Sequence, residues 1–261
     1  MESNKSMMIK REINYFLTAL SFFTRVPVGN ACQYSQDALN RCNRYFPLIG
    51  VLVGGFMALS YWLLLMLFPA SIALLGAMLA TILFTGAFHE DGFADLCDGF
   101  GGGWQKEQIL LIMKDSRLGT YGAIGLLGML LMKYFALFEL RFNEVFTIMV
   151  LGHTVSRTMA VSTMFALDYV REDETSKSKP ITKNLHSSDL WVAILLTAVA
   201  LIFIPKAIYL LALIPAFLAK WLMERWFVKH IGGYTGDCLG AIQQLTEVVF
   251  YLSVLAINMK L

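Results

Sequence analysis

Long apolar blocks separated by short polar segments divide this chain of 261 residues. Seven of the blocks are candidate spans, and most of them approach the roughly 20 residues that an α-helix needs to cross the hydrocarbon core of a bilayer, although the fifth and sixth are short. The seven blocks cover residues 46–68, 70–88, 121–140, 145–166, 190–204, 207–223 and 239–258. A further apolar segment, residues 13–28, is interrupted by Arg25 and Pro27, which favours a helix lying at the membrane interface. The pattern predicts an all-α fold, a polytopic integral membrane protein with about seven transmembrane helices plus an N-terminal interfacial helix.

The composition supports a membrane protein. Hydrophobic residues make up 57% of the chain and charged residues only 15%, whereas soluble domains usually carry about 25% charged residues. A net charge of +2 predicts no nucleic-acid partner. We interpret residues 1–261 as a single transmembrane domain.

The positive charges indicate the orientation. With the N-terminus inside, fifteen of the 21 lysines and arginines fall in segments predicted to face the cytoplasm, three in segments predicted to face outward, and three within the spans. This asymmetry follows the positive-inside rule. The long connections, which in compact proteins tend to carry function, also fall on the inside, and residues 171–183 are predicted to form a loop there. The active face is therefore predicted to be cytoplasmic.

The strongest candidate site follows directly on the second apolar block. Asp91, Asp95 and Asp98 are spaced at i, i+4 and i+7, which places them along one stripe of a helix. Carboxylates packed this closely repel one another unless a cation neutralises them, and all-oxygen ligands suit Mg²⁺. The stripe therefore predicts a magnesium site, against the alternative of a solvated acidic helix end. Glu90 is either a fourth ligand or a surface residue, and His89 either a general base or a hydrogen-bonded interfacial histidine.

A basic segment lies at the far side of the same polar connection. Lys114 and Arg117 are three residues apart, with Ser116 between them and two glycines after them. The set predicts a phosphate clamp, because a guanidinium group can bind two phosphate oxygens at once. The alternative is a positively charged anchor before the third span.

Two more charged residues lie in or beside predicted spans. Arg157 follows His153 by four residues inside the fourth span, where a buried charge is costly unless it has a partner. Arg157 is predicted to bind substrate, or else to form a structural ion pair with Glu247. Asp237 opens the last span, where the helix dipole favours an acid. It either caps that helix or joins the metal or substrate site.

Three blocks of sequence together resemble the cobalamin synthase family, the adenosylcobinamide-GDP ribazoletransferases. They are HEDGFADLCDG at residues 89–99, KDSRLGTYG at 114–122 and GGYTGDCLGA at 232–241, preceded by YFPLIG at 45–50. Their order and spacing match the family over essentially the whole chain. The family's first motif more often has leucine where Glu90 stands, so the resemblance assigns Glu90 no role.

The resemblance implies a Mg²⁺-dependent enzyme of the bacterial inner membrane that completes the nucleotide loop of cobalamin. An oxygen of α-ribazole or of its 5′-phosphate attacks the corrinoid-linked phosphorus of adenosylcobinamide-GDP, and GMP leaves. The implied partners are these small molecules and the lipid bilayer, and a homo-oligomer is left open. Together, the resemblance and the spacing assign catalytic roles to His89, Asp91, Asp95 and Asp98, with the three aspartates as the metal ligands. They assign substrate binding to Lys114, Arg117, Arg157 and Asp237.

Two alternatives have their own sequence arguments. A CDP-alcohol phosphotransferase-like enzyme also carries an Asp-Gly/Asp cluster on its spans, but it has Ala-Arg where this chain has Ala94 and Asp95. A cation transporter would use the three aspartates as its ion site. Transporters normally bind ions near the bilayer midplane, whereas these aspartates lie at the end of a predicted span.

The charge asymmetry yields a prediction about topology. We expect a cysteine-accessibility reporter within residues 167–189 to be labelled from the cytoplasm, and one within residues 141–144 from the periplasm. The reversed pattern would mean that residues 13–28 cross the membrane or that a span boundary is wrong.

Overall fold

The structure, a computed structural model, describes residues 2–170 and 186–260. The loop predicted at residues 171–183 lies outside the described residues. The helices are α1 (Glu2–Phe23), α2 (Gln36–Arg41), α3 (Phe46–Leu64), α4 (Ala70–Thr85), α5 (Phe88–Gly102), α6 (Lys106–Ile112), α7 (Thr120–Phe138), α8 (Phe142–Ala166), α9 (Ser187–Leu201), α10 (Leu213–Ile231) and α11 (Gly236–Asn258). Within this part of the chain there is no β-strand, only an isolated bridge between Tyr169 and Tyr234. The predicted all-α membrane fold is confirmed.

Five helical segments are long and apolar enough to cross a membrane: Gln36–Leu64, Thr120–Phe138, Phe142–Ala166, Ala207–Ile231 and Gly236–Asn258. The pair Ala70–Thr85 and Phe88–Gly102 passes the same criteria as one span bent by 90°. The predicted count of seven is therefore not confirmed. At the predicted fifth span, Ser187–Leu201 has only 15 residues, which is too short to cross the hydrocarbon core without tilting partners or bilayer thinning. The sixth predicted span is longer than expected, because the helix continues to Ile231.

The bend between α4 and α5 has a local cause. Gly86 has φ +70° and Ala87 has φ +56°, so two successive residues adopt the left-handed conformation. Glycine does so without steric cost, and it ends α4 as a typical helix C-cap. A side chain at Gly86 would also collide with the guanidinium of Arg25, where the chain leaves α1. The bend turns the polar α5 away from the direction of the apolar α4.

Helices α8 and α11 form the centre of the bundle. Of the spanning window of each, 72% is buried inside the protein, against 28–39% for the other complete spans. Helix α3 approaches α8 closely because Gly50 and Gly54 lie directly against the α8 backbone. A Cβ atom at Gly50 would overlap the carbonyl of His153, and one at Gly54 would lie 2.6 Å from Val150 Cα.

Two buried apolar clusters fill the bundle and leave a polar layer between them. On α8 one cluster uses residues from Val145 to Val155, and the other uses Ala160, Val161 and Met164. On α11 the buried members of one cluster end at Ile242 and those of the other begin at Phe250. The polar residues described below occupy these intervals on both central helices.

The close contact of α3 with α8 generates a stability prediction. We expect Gly50→Ala to lower the free energy of unfolding by about 1–3 kcal/mol, because the added methyl group overpacks a contact between two backbones. Gly55→Ala is the matched control, since it lies on the same helix with nothing within 4 Å of an added Cβ. It should be neutral or slightly stabilising, as alanine is the better helix former. Thermal unfolding of the purified protein in detergent measures both, and equal midpoints would contradict the contact.

Candidate functional site

Helix α5 carries the aspartate stripe immediately after the bend. The three carboxylates differ in exposure: Asp91 is exposed, Asp95 is half-buried and Asp98 is only 9% exposed. The predicted helix is confirmed, and the three aspartates lie along it at the predicted spacing. The first two positions are the ones open to a ligand from solvent.

Asp98 has a structural partner that its spacing did not reveal. Its two carboxylate oxygens accept hydrogen bonds from the backbone N–H groups of Gly119, at 2.7 Å, and Gly122, at 2.8 Å. A Cβ atom at either glycine would collide with the Asp98 carboxylate. Asp98 therefore caps the N-terminus of α7, where unsatisfied N–H groups and the helix dipole favour a negative charge. This finding revises the expectation that the three aspartates act as one equivalent set.

Asp237 lies on a second helix, α11, which packs against α5. It lies in the first turn of α11 and is half-buried. The cap of that helix is Thr235, whose hydroxyl accepts a hydrogen bond from the Cys238 N–H at 3.3 Å, so the capping alternative for Asp237 is wrong. A Cβ atom built at Gly92 would lie 3.0 Å from Asp237 Cα. The first turn of α11 thus packs on α5 at Gly92, the residue that follows Asp91.

These carboxylates do not form a complete metal cage. Among residues 2–170 and 186–260, no three histidine, cysteine, aspartate or glutamate residues form a group that could hold a metal ion. Mg²⁺, however, is usually held by one or two carboxylates together with water and substrate phosphates. The oxygen donors at the exposed edge of α5 fit that mode of binding, in which the substrate completes the coordination.

The predicted phosphate clamp is not assembled around the stripe. Arg117 is 88% exposed, and its guanidinium binds Asp115 two residues away, with Nη2 2.6 Å from Oδ2. The hydrogen bonds from Arg117 hold the pKa of Asp115 below its ordinary value. Lys114 is also exposed. Both cations lie on the loop that Asp98 holds at its end through Gly119.

His89 is on the buried side of α5. It is 2% exposed, with its ring stacked on Phe46 at a centroid distance of 5.6 Å and edge-on to Phe88 at 5.2 Å. Its Nε2 has no hydrogen-bond partner among the described residues. The aromatic enclosure separates the imidazole from the solvent side, where Asp91 lies, and this placement does not favour a general base that contacts substrate.

Arg157 lies in the polar layer of the bundle and is 1% exposed. Its Nη1 donates to the His153 carbonyl at 3.0 Å and lies 3.1 Å from His153 Nδ1. Glu247 contacts Lys133 instead, with Nζ 2.5 Å from Oε1, and His153 Nδ1 lies 3.0 Å from Oε2. The ion pair expected between Arg157 and Glu247 is thus replaced by a wider network, which Gln243 extends by donating to Glu247 at 2.5 Å.

Glu90 is neither a ligand beside the stripe nor a surface residue. It is 6% exposed, and its Oε1 accepts a hydrogen bond from Gln244 Nε2 at 2.9 Å. Sequence reasoning missed this pair because the two residues are 154 positions apart. The available signal was the occurrence of Gln243, Gln244 and Glu247 inside an otherwise apolar span.

A family comparison covers nearly all of this architecture. The model of the cobalamin-5-phosphate synthase family matches residues 15–256, which include α3 to α10 in full, the stripe and the loop that Asp98 caps.

This chain belongs to the cobalamin-5-phosphate synthase family.

Individual members of the family are similar over the same length. The adenosylcobinamide-GDP ribazoletransferase of Shewanella amazonensis is 48% identical over 250 residues, covering 94% of this chain and 96% of its own. The enzyme of that name from Shewanella frigidimarina is 47% identical, covering 96% of this chain and 97% of its own. The one from Shewanella oneidensis is 44% identical over 252 residues. No solved structure matches the chain. This family is an enzyme family of cobalamin biosynthesis, and the match supports neither the CDP-alcohol phosphotransferase nor the transporter alternative.

The different surroundings of the aspartates predict different effects of their removal in this cobalamin-5-phosphate synthase family member. We expect Asp98→Ala to lower the free energy of unfolding by about 1–2 kcal/mol, because it removes a helix cap. Asp91→Ala, on the exposed edge of the same helix, should leave the thermal unfolding midpoint almost unchanged. A midpoint for Asp98→Ala equal to that of Asp91→Ala would exclude the capping role.

Proposed function

We propose that this chain catalyses the reaction for which its relatives are named. An oxygen of α-ribazole or of α-ribazole 5′-phosphate attacks the corrinoid-linked phosphorus of adenosylcobinamide-GDP, the phosphoanhydride bond breaks, and GMP leaves. The observation that carries the proposal is the juxtaposition of α5, which bears Asp91 and Asp95, with the first turn of α11, which bears Asp237 and packs on α5 at Gly92. This juxtaposition lies within the segment that matches the family.

The carboxylates at this edge have the chemistry of a magnesium site. Asp91 and Asp95 would hold the ion, with Asp237 close enough to share in its environment, and Asp98 would take part through the helix that it caps. Mg²⁺ held there would supply the charge neutralisation that is the main requirement of phosphoryl-transfer chemistry. The N-terminus of α11 adds a positive dipole at the same edge, which favours an anionic group there.

Two basic residues of a neighbouring loop bind and orient the substrates. Lys114 and Arg117 are exposed on the loop between α6 and α7. Arg117 can therefore exchange its Asp115 partner for phosphate oxygens, because its planar guanidinium group can bind two such oxygens at once. The nucleophile loses its proton to a carboxylate of the exposed edge, Asp91 or Asp95, rather than to the enclosed His89. Arg157 supports the site from the polar layer of the bundle without reaching the substrate.

The site lies at the end of a membrane span, which suits a reaction at the membrane surface. We propose that the protein is a multi-pass protein of the bacterial inner membrane and that this surface faces the cytoplasm, as the distribution of lysine and arginine indicates. Its partners there are the two nucleotide-loop substrates and the surrounding lipid.

The central test is Asp95→Asn. Asparagine keeps the shape and one acceptor oxygen but removes the negative charge, so turnover should fall by about 10²-fold or more while the protein stays folded. Added Mg²⁺ should restore turnover only in part. GMP release by the purified enzyme from adenosylcobinamide-GDP and α-ribazole measures the effect.

Glu107→Gln serves as the control, because Glu107 is an exposed acid on the neighbouring helix α6. It should retain nearly full turnover. Normal turnover in Asp95→Asn together with a dead Glu107→Gln would refute the assignment of the metal site to α5.

A further inference from the structure

Helix α5 packs antiparallel on the first three turns of α11 through three contacts in one register. Gly92 meets the backbone of Asp237, and Gly240 meets the backbone of His89, whose carbonyl would lie 3.2 Å from a Cβ atom at that glycine. One turn further along α11, Gln244 donates to Glu90 at 2.9 Å. The two glycine contacts determine how closely the helices approach. The side-chain hydrogen bond determines their rotation and axial position, because it is directional.

Glu90 is a charged residue buried beside a membrane-spanning helix, and it belongs to a balanced set of charges. The core charge cluster consists of Glu90, Lys133, Arg157 and Glu247, each less than 7% exposed. Lys133 contacts Glu247, and Glu90 joins the same polar layer through Gln244, the neighbour in sequence of the Gln243 that donates to Glu247. Two carboxylates and two cations make the cluster neutral when His89 and His153 are uncharged. Neutrality matters because an uncompensated charge in such surroundings costs several kcal/mol.

The cluster connects the centre of the bundle to the aspartate edge. Lys133 lies on α7, Arg157 on α8, Glu247 on α11 and Glu90 on α5, next in sequence to Asp91. Any rotation of α5 that moves Asp91 and Asp95 also withdraws Glu90 from Gln244. Glu90 therefore links the position of α5 to the charge balance of the cluster.

We propose that Glu90 is a positioning residue: its hydrogen bond to Gln244, held inside a neutral charge cluster, sets the register in which α5 presents Asp91 and Asp95 beside Asp237. This inference deepens the proposed function, on which it rests. Glu90 touches neither substrate nor metal. It acts through the placement of the carboxylates that do.

An exchange of the two side chains tests the proposal. Glu90→Gln removes one carboxylate from the cluster and leaves two cations facing one anion, whereas Gln244→Glu brings two carboxylates into contact, which repel one another. Each single variant should lower kcat by about 10- to 100-fold, since small misplacements of reacting groups have effects of this size. The double variant E90Q/Q244E restores one carboxylate, one amide and the total charge. It should recover kcat to within about threefold of the native enzyme if the pair acts by position.

Hydrogen–deuterium exchange gives a readout that does not depend on turnover. In Glu90→Gln the amides of Phe88–Gly102 should exchange faster than in the native protein, and the exchanged pair should restore their protection. Glu224→Gln is the matched control, because Glu224 is a buried glutamate of α10 paired with Lys220 at 2.8 Å. That variant should weaken protection in α10 while leaving α5 protection and kcat nearly unchanged.

Further variants keep each outcome decisive. Gln244→Asn preserves the charge balance and shortens only the hydrogen-bonding arm, so it should fold and still lower kcat, even if Gln244→Glu does not insert. Native kcat and native α5 exchange in Glu90→Gln or Gln244→Asn would overturn the proposal, as would a folded double variant no better than the worse single variant. Asp95→Asn separates the two claims: normal turnover there refutes the carboxylate site itself, whereas loss there with a native Glu90→Gln refutes only the positioning role.

Discussion

Lys133 and Glu247 form a charged contact inside the bundle, and the arrangement of the helices around it depends on this contact. A charge at this depth is tolerated only with an opposite charge and hydrogen-bond partners. The protein meets this condition by assembling polar residues from four helices into one layer, with apolar clusters on either side along α8 and α11. His153 and Gln243 complete the surroundings of the Glu247 carboxylate. The central helices are thereby held in a defined rotation, since turning either one would separate the pairs.

A second constraint is the abrupt change of direction at Gly86 and Ala87. Without it, α4 and α5 would continue as one helix, and the polar sequence of α5 would follow its apolar predecessor into or out of the bilayer. The 90° bend instead lays α5 against the start of α11. Small residues make this contact close: Gly92 and Gly240 bring the backbones together, while Gly119 and Gly122 make room for the Asp98 carboxylate at the start of α7. The glycines of the family motifs therefore act mainly by permitting approach between helices.

The three aspartates of one stripe divide into two roles because their neighbours differ. Asp98 faces the N-terminus of α7 and satisfies two backbone donors, which orders the end of the loop that carries Lys114 and Arg117. Asp91 is exposed and Asp95 is half-buried, on the helix against which the first turn of α11 packs. Under the proposed function, these positions face an anionic diphosphate that must be neutralised and aligned. The proposed Mg²⁺ site, completed by substrate oxygens, is suited to that task.

The sequence by itself determined the elements whose signals are local. Apolar blocks predicted the helices, the i, i+4, i+7 spacing predicted that the aspartates share a stripe, and the motifs led to the family. It did not determine the number of complete spans, because the shortness of α9 and the bend after α4 depend on where each helix ends. Only the tertiary structure decided that Asp98 caps α7, that Arg157 and His89 are enclosed, and that Glu90 pairs with Gln244. Each of these depends on residues distant in sequence, and a carboxylate's role follows from the groups that the fold brings to it rather than from its spacing along one helix.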